Sequence, residues 1–254
     1  MIKKIINKIN SKLFKFNPTF KKNKNLNKIG TTYGGYDIIE ENLKEPIVLS
    51  CGLGEDASFD VDMINNFNAK VFIIDPTPRS KIYFNKLKDN FGSPKTVDYN
   101  ESGYLQSSCY DLRKVNVENL IFIDKAIWSE NNTVLKLYYP IEEDHVSLSI
   151  NKKKNYSENS LLKVQTINYD KIIELYGLKK IDILKLDIEG AEVETLKSVL
   201  KNKILPNQIL VEFDLRRNPS LATNLLLKKI HQKVCEKYDL ININNKGDFT
   251  YLLK

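Results

Sequence analysis

Side chains that titrate near neutrality are almost missing from this chain. There are two histidines in 254 residues, His145 and His231, and histidine is the usual near-neutral group. Cysteine is equally sparse. Cys51, Cys109 and Cys235 are unevenly spaced, which excludes a disulfide framework and a zinc pattern and leaves a reducing, cytoplasmic setting as the expectation. No apolar run nears the roughly 18–20 residues that span a bilayer, and the N-terminus lacks the apolar core of a secretory signal. Arginine occurs only at 79, 113, 216 and 217. The body of the chain has no basic patch interleaved with aromatics, which counts against a nucleic-acid partner.

What is abundant is lysine, and its distribution matters more than its sum. Nine lysines and no acid precede Asp37, while the whole chain carries a formal +7. The surplus therefore sits in an N-terminal arm, and the rest is slightly acidic. Residues 1–16 place Ile2, Ile5, Ile6, Ile9, Leu13 and Phe16 at helical spacing with lysines mostly elsewhere on the wheel. Two readings stand: a helix on the protein's own surface, or one that touches an anionic membrane or partner. AT-biased composition would also produce such an arm. A Lys/Asn-rich linker follows, so the division is residues 1–40 as arm and linker and 41–254 as the domain.

Beyond the arm, helical and strand periods alternate. Ile47–Ser50 reads as a strand, and Ala57–Phe67 as a helix with Phe59, Met63 and Phe67 on one face. Val71–Ile74 is a second strand, and Ser80–Lys88 a second helix. Residues 92–117 are polar and carry no clear pattern. Leu120–Ile123 begins a third strand that continues through Ala126-Ile127-Trp128. Val134–Tyr139, Val146–Ile150 and Val164–Ile167 form a β insertion before the fourth core strand, Ile181–Leu186. Asp170–Tyr176 is helical, as are the segment carrying Val193, Leu196 and Leu200 and residues 219–238. Gln208–Phe213 is a strand, and Leu240–Ile243 with Phe249–Leu253 make a closing hairpin. The fold class is α/β: a mostly parallel Rossmann-like sheet of the class I methyltransferase kind, with an antiparallel C-terminal strand.

The most informative stretch is Ile47 to Asp75: strand, glycine turn, helix, strand, terminal acid. Gly52 and Gly54 allow a tight turn, and an acid about 20 residues later can accept from both hydroxyls of a ribose. Gly52-x-Gly54-x-x-Ala57 also fits the loose dinucleotide fingerprint, so an NAD(P) oxidoreductase is an alternative. Glu55 and Asp56 weigh against it, because carboxylates in the helix's first turn repel a diphosphate. They suit a ligand bearing a sulfonium and an ammonium, S-adenosylmethionine (SAM). A second cluster, Asp187, Glu189 and Gly190, lies where the fourth core strand delivers its acids to the ligand edge of the sheet.

Three blocks taken together resemble the FkbM-type SAM-dependent methyltransferases. They are Ser50-Cys51-Gly52-Leu53-Gly54-Glu55-Asp56, Ile74-Asp75-Pro76-Thr77-Pro78-Arg79-Ser80, and Leu184-Lys185-Leu186-Asp187-Ile188-Glu189-Gly190-Ala191-Glu192. The resemblance runs from about residue 45 to 215. It implies an O-methyltransferase for a hydroxyl of a carbohydrate or small metabolite. By analogy, Gly52, Gly54 and Glu55 line the methionine and ribose end, Asp75 binds the ribose, and Asp124–Ala126 lies near the adenine. Asp187, Glu189 and His145 are the expected catalytic residues, with Glu212 and Asp214 as further base candidates. Asp187, Glu189 and Glu212 can also be read as ligands of a divalent ion such as Mg²⁺. Trp128, Tyr138 and Tyr139 are candidates to stack on a sugar. A different class of reading makes the lysine arm the functional element, binding a membrane or nucleic-acid surface. A hybrid is an enzyme docked by its arm near lipid-linked glycans.

Overall fold

The structure, a computed structural model, describes residues 15–20, 25–140, 148–150 and 156–254, with the backbone alone for 156–159. The expected helix over 1–16 falls, but for its last two residues, outside the described residues.

The body is a mixed α/β domain. A short hairpin, β1 (Leu26–Ile29) and β2 (Tyr36–Ile39), leads into β3 (Ile47–Cys51), α1 (Ser58–Phe67), β4 (Lys70–Ile74), α2 (Pro78–Lys88) and β5 (Leu120–Ile123). Then come β6 (Ala126–Ile127), β7 (Val134–Pro140), β8 (Tyr156–Ile167), α3 (Tyr169–Tyr176) and β9 (Ile181–Leu186). The chain ends with α4 (Glu192–Val199), β10 (Pro206–Val211), α5 (Leu221–Cys235), β11 (Tyr238–Ile243) and β12 (Phe249–Leu253).

Seven strands form the main sheet in the order β11-β12-β10-β9-β3-β4-β5. From β10 to β5 all neighbours are parallel, and β12 runs antiparallel to both β10 and β11. The parallel strands are apolar runs because helices cover both faces. In β4, Val71 and Ile73 join the core under α1 and α2, whereas Phe72 and Ile74 join the core under α3, α4 and α5. The alternation of one strand thus feeds two cores.

Residues 26–39, inside the basic span of the sequence, pack as part of this body. Tyr36 and Ile38 are buried, and the Gln208 amide both donates to the Ile39 carbonyl and accepts from its N–H at 2.7–2.8 Å. Phe16 is also buried, against His231 and Phe249.

Three strand readings need correction. Val146–Ile150 is described only from residue 148, where Ser149 makes an isolated bridge to Tyr138 and no strand. The third core strand stops at Ile123: Lys125 N–H turns back to the Ile123 carbonyl, and Ala126–Ile127 pairs with β8 in a separate three-stranded sheet, β6-β8-β7. Val164–Ile167 is only the end of the twelve-residue β8, whose polar start still pairs with β7, as an antiparallel strand with an open face can. The insertion itself stands where expected, between β5 and β9.

The chain proceeds from β3 outward to β4 and β5, then returns to β9 on the other side of β3. Strand order reverses there, which opens a crevice at the carboxyl ends of β3 and β9.

Candidate active site

The turn after β3 is fixed by close packing. Gly52 has φ +89°, and a Cβ there would fall inside the carbonyl oxygen of Asp187. The two strand ends are also joined by the Asp187 N–H donating to Cys51 O at 3.0 Å and by Lys185 Nζ donating to Gly52 O at 2.7 Å. Gly54 differs: φ is +57°, and its Cβ side faces open space. Cys51 is fully buried, and burial pushes its thiol well above the ordinary value, so it is a packed residue and not a nucleophile.

Asp75, at the end of β4, holds this turn. One carboxylate oxygen accepts from Leu53 N–H and Ser80 Oγ, each at 2.9 Å. The other accepts from Thr77 N–H at 2.8 Å and Thr77 Oγ1 at 2.6 Å. A carboxylate has about four lone-pair sites, so Asp75 is filled by its own chain. The neighbouring acids are engaged too. Asp56 is buried and accepts from Thr31 Oγ1 at 2.6 Å and from Ser58 N–H at 2.8 Å. Glu55 pairs with Arg79 at 2.6 Å. The amide of Ala57 donates to the Tyr110 hydroxyl at 2.9 Å. The amides of Leu53, Ala57 and Ser58, where a diphosphate would dock, are therefore already in use.

The opposite wall carries Asp187, Glu189 and Glu212, from the ends of β9 and β10. Arg217 joins two of them: Nη1 lies 3.0 Å from Glu189, Nε lies 3.0 Å from Glu212, and Nη2 also contacts Glu212. Burial, reinforced by Asp187, pushes the Glu212 carboxyl up to about 7. Burial works against the charge on Arg217, yet Glu189 and Glu212 keep its pKa above the ordinary value. Tyr33 and Tyr36 are raised by burial and then by Asp187. The Tyr36 side chain is fully buried, with the Asp187 carboxylate close enough to act on its hydroxyl. Glu189 has φ +45°, a left-handed conformation that costs a non-glycine residue about 1–2 kcal/mol. Its carbonyl accepts from Ser149 Oγ at 2.8 Å, which ties the β insertion to this wall.

Between the walls lies a cavity of about 230 Å³. Leu135, Leu137, Leu148 and Ile150 of the insertion form its roof. Gly52, Gly54, Glu55, Asp75, Ala126, Asp187 and Glu189 all line it. Asp124 does not: it pairs with Lys81 on a solvent-exposed surface. Asp214 is buried outside the lining, and Trp128, Tyr138 and Tyr139 are likewise not lining residues. His145 lies outside the described residues.

The metal reading of Asp187, Glu189 and Glu212 is not supported. Among the described residues no group of three acids, histidines or cysteines is arranged for an ion, and the Arg217 guanidinium occupies the space between Glu189 and Glu212. Sequence reasoning overlooked Arg217, Lys185 and Tyr33. Two adjacent arginines just beyond the acid-ending β10, in a chain with only four, were the available signal for the first. Lys185 lies within the quoted acid block. Tyr33 carried no periodic signal.

A family model described as the methyltransferase FkbM domain matches residues 54–227. No curated protein matches the chain, and no solved structure does.

Proposed function

The chain belongs to the methyltransferase FkbM family, and on that premise we propose that it moves a methyl group from SAM to a hydroxyl of a carbohydrate or small metabolite. The order of the main sheet, with its reversal at β3 and β9 and an inserted antiparallel β12, supports a Rossmann-like class I arrangement with the donor in the crevice.

One observation carries the choice of donor. The amides of Leu53, Ala57 and Ser58 are spent on the protein's own acceptors, while the described lining holds six carboxylates and four basic side chains. That surface disfavours a diphosphate and favours a cation, so the NAD(P) alternative loses ground. Gly54 leaves room for the methionine end. Asp75 takes the ribose if the hydroxyls of Thr77 and Ser80 rotate away; its main-chain donors, Leu53 and Thr77, can stay in place. Ala126, with Pro76, supplies an apolar edge for the adenine.

When bound, SAM supplies a methyl carbon on a sulfonium that is already a good leaving group. The residues of the chain must hold an acceptor oxygen in line with it and take its proton. Glu212 is the best-poised base. It lines the cleft, and its carboxyl is held near 7, where a base is efficient. Asp187 raises its proton affinity, while Arg217 fixes its orientation. Glu189 is placed to orient the acceptor. Among the described residues no helix is long and apolar enough to cross a membrane.

Calorimetric titration tests the proposal. S-adenosylhomocysteine (SAH) should bind saturably at one site, and NADH should not bind. Failure of the folded protein to bind SAH or SAM overturns it.

A further inference from the structure

The cleft has two chemically different ends beyond the donor turn. The lower end is polar: Glu189, Glu212 and Arg217, with Tyr33 half-exposed at the mouth. The roof above it is hydrocarbon. Leu135 and Leu148 line the cavity and are only partly buried, as is Ile150. They belong to a small apolar cluster separate from the two main cores. The Ser149 hydroxyl and Ile150 amide fasten this roof to the Glu189 carbonyl, so the apolar side chains and the acids line one cavity from segments that are tied together. A fully hydroxylated sugar would leave those leucines without a partner and would lose water from its own hydroxyls against them.

We propose that the acceptor is amphipathic: a hydroxylated ring that meets Glu212 and Arg217, carrying a hydrocarbon substituent that packs under Leu135 and Leu148. This rests on the methyltransferase reading above and narrows its substrate class. The ring offers hydroxyl donors to Glu212 and Glu189, and the substituent covers the roof. Such a molecule can come from a soluble metabolite pool or from a glycolipid in a membrane.

The test uses the full chain saturated with SAH, titrated with methyl β-glucoside and with octyl β-glucoside below its micelle concentration. The octyl compound should bind at least about tenfold more tightly, since roughly two buried methylenes suffice for that factor. Leu148→Asn and Leu135→Asn, both at partly exposed positions, should erase the preference when each variant is titrated at its own saturating SAH concentration. Equal affinities for the two glucosides, or no octyl binding to the SAH-loaded protein, overturn the proposal. Loss of SAH binding in the unaltered protein would instead strike the methyltransferase reading. A hexadecyl β-glucoside held in phosphatidylcholine vesicles separates the sources. Capture by those vesicles supports a membrane-held acceptor, and binding of the soluble octyl compound alone supports a free one; both sustain the apolar subsite.

Discussion

On the β3–β4 wall, Asp75 and Asp56 give each carboxylate oxygen a donor from their own chain. On the β9–β10 wall, Asp187, Glu189 and Glu212 crowd one another around a single guanidinium. The same functional group builds one wall and is left chemically poised on the other. Donors satisfy the oxygens of the first wall, whereas burial beside Asp187 favours the proton on Glu212. The contrast lets the two walls be perturbed separately.

The largest effect belongs where the walls meet. Gly52→Ala must push β3 away from the Asp187 carbonyl and hold alanine at φ +89°. We expect a loss of about 3–4 kcal/mol in urea unfolding, with loss of SAH binding, from overpacking and backbone strain combined. A near-neutral Gly52→Ala would mean that the walls are not locked together.

Next comes the direct comparison of an acid from each wall. Asp75→Ala strands the buried amide of Leu53 and the partly buried amide of Thr77 and should cost about 2–3 kcal/mol, because donors left unmade carry their desolvation penalty. Glu212→Gln removes a carboxylate that is already costly to ionise, and Arg217 keeps Glu189. Its stability should stay within about 1 kcal/mol of the parent, while methyl transfer falls and loses its rise with pH through about 7. Equal destabilisation by both changes would erase the distinction between the walls.

A third test uses pH. Glu192 is buried behind the poised wall, accepts from Gly190 N–H at 2.7 Å, and is pushed by burial up to about 8. With Glu212 near 7, the folded chain keeps protons that the unfolded chain releases near the ordinary glutamate value of 4.5. The folded state binds more protons across that window, so these groups make stability fall as pH rises from about 4.5 to about 8. The urea midpoint should be lower at pH 8.5 than at pH 6, and Glu192→Gln should shrink the drop. A variant with an undiminished drop would remove Glu192 from this account.

How much of this was readable beforehand follows from the range of the interactions. The β3 turn, the acid ending β4 and the Leu184–Glu192 block announce themselves because each is a local pattern with a period or a glycine. Ile181–Leu186 matched its strand to the residue for that reason. The role of Asp56 was not local. Thr31, its partner, is twenty-five residues away in a hairpin turn that composition assigned to the basic arm. Arg217 was hidden for a similar cause: it lies in a short 3-10 turn after β10, and only the parallel pairing of β9 with β10 brings it to Glu189. In the insertion, polar residues blurred the strand signal, since one face of that small sheet has no core to pack against.

The smallest expected effect lies at the edge of the building wall. Asp124 stands just past β5, where analogy put an adenine contact, but its side chain is 44% exposed and faces Lys81. An exposed pair of this kind is worth about 0–1 kcal/mol. Asp124→Ala should therefore shift stability by less than about 0.5 kcal/mol and SAH affinity by less than about twofold. Ala126→Asp, two residues on, places a charge in the lining and should weaken SAH binding far more. If calorimetry instead finds the Asp124 change to be the damaging one, the adenine lies outside Ala126, and the wall that holds the donor extends to the surface beside α2.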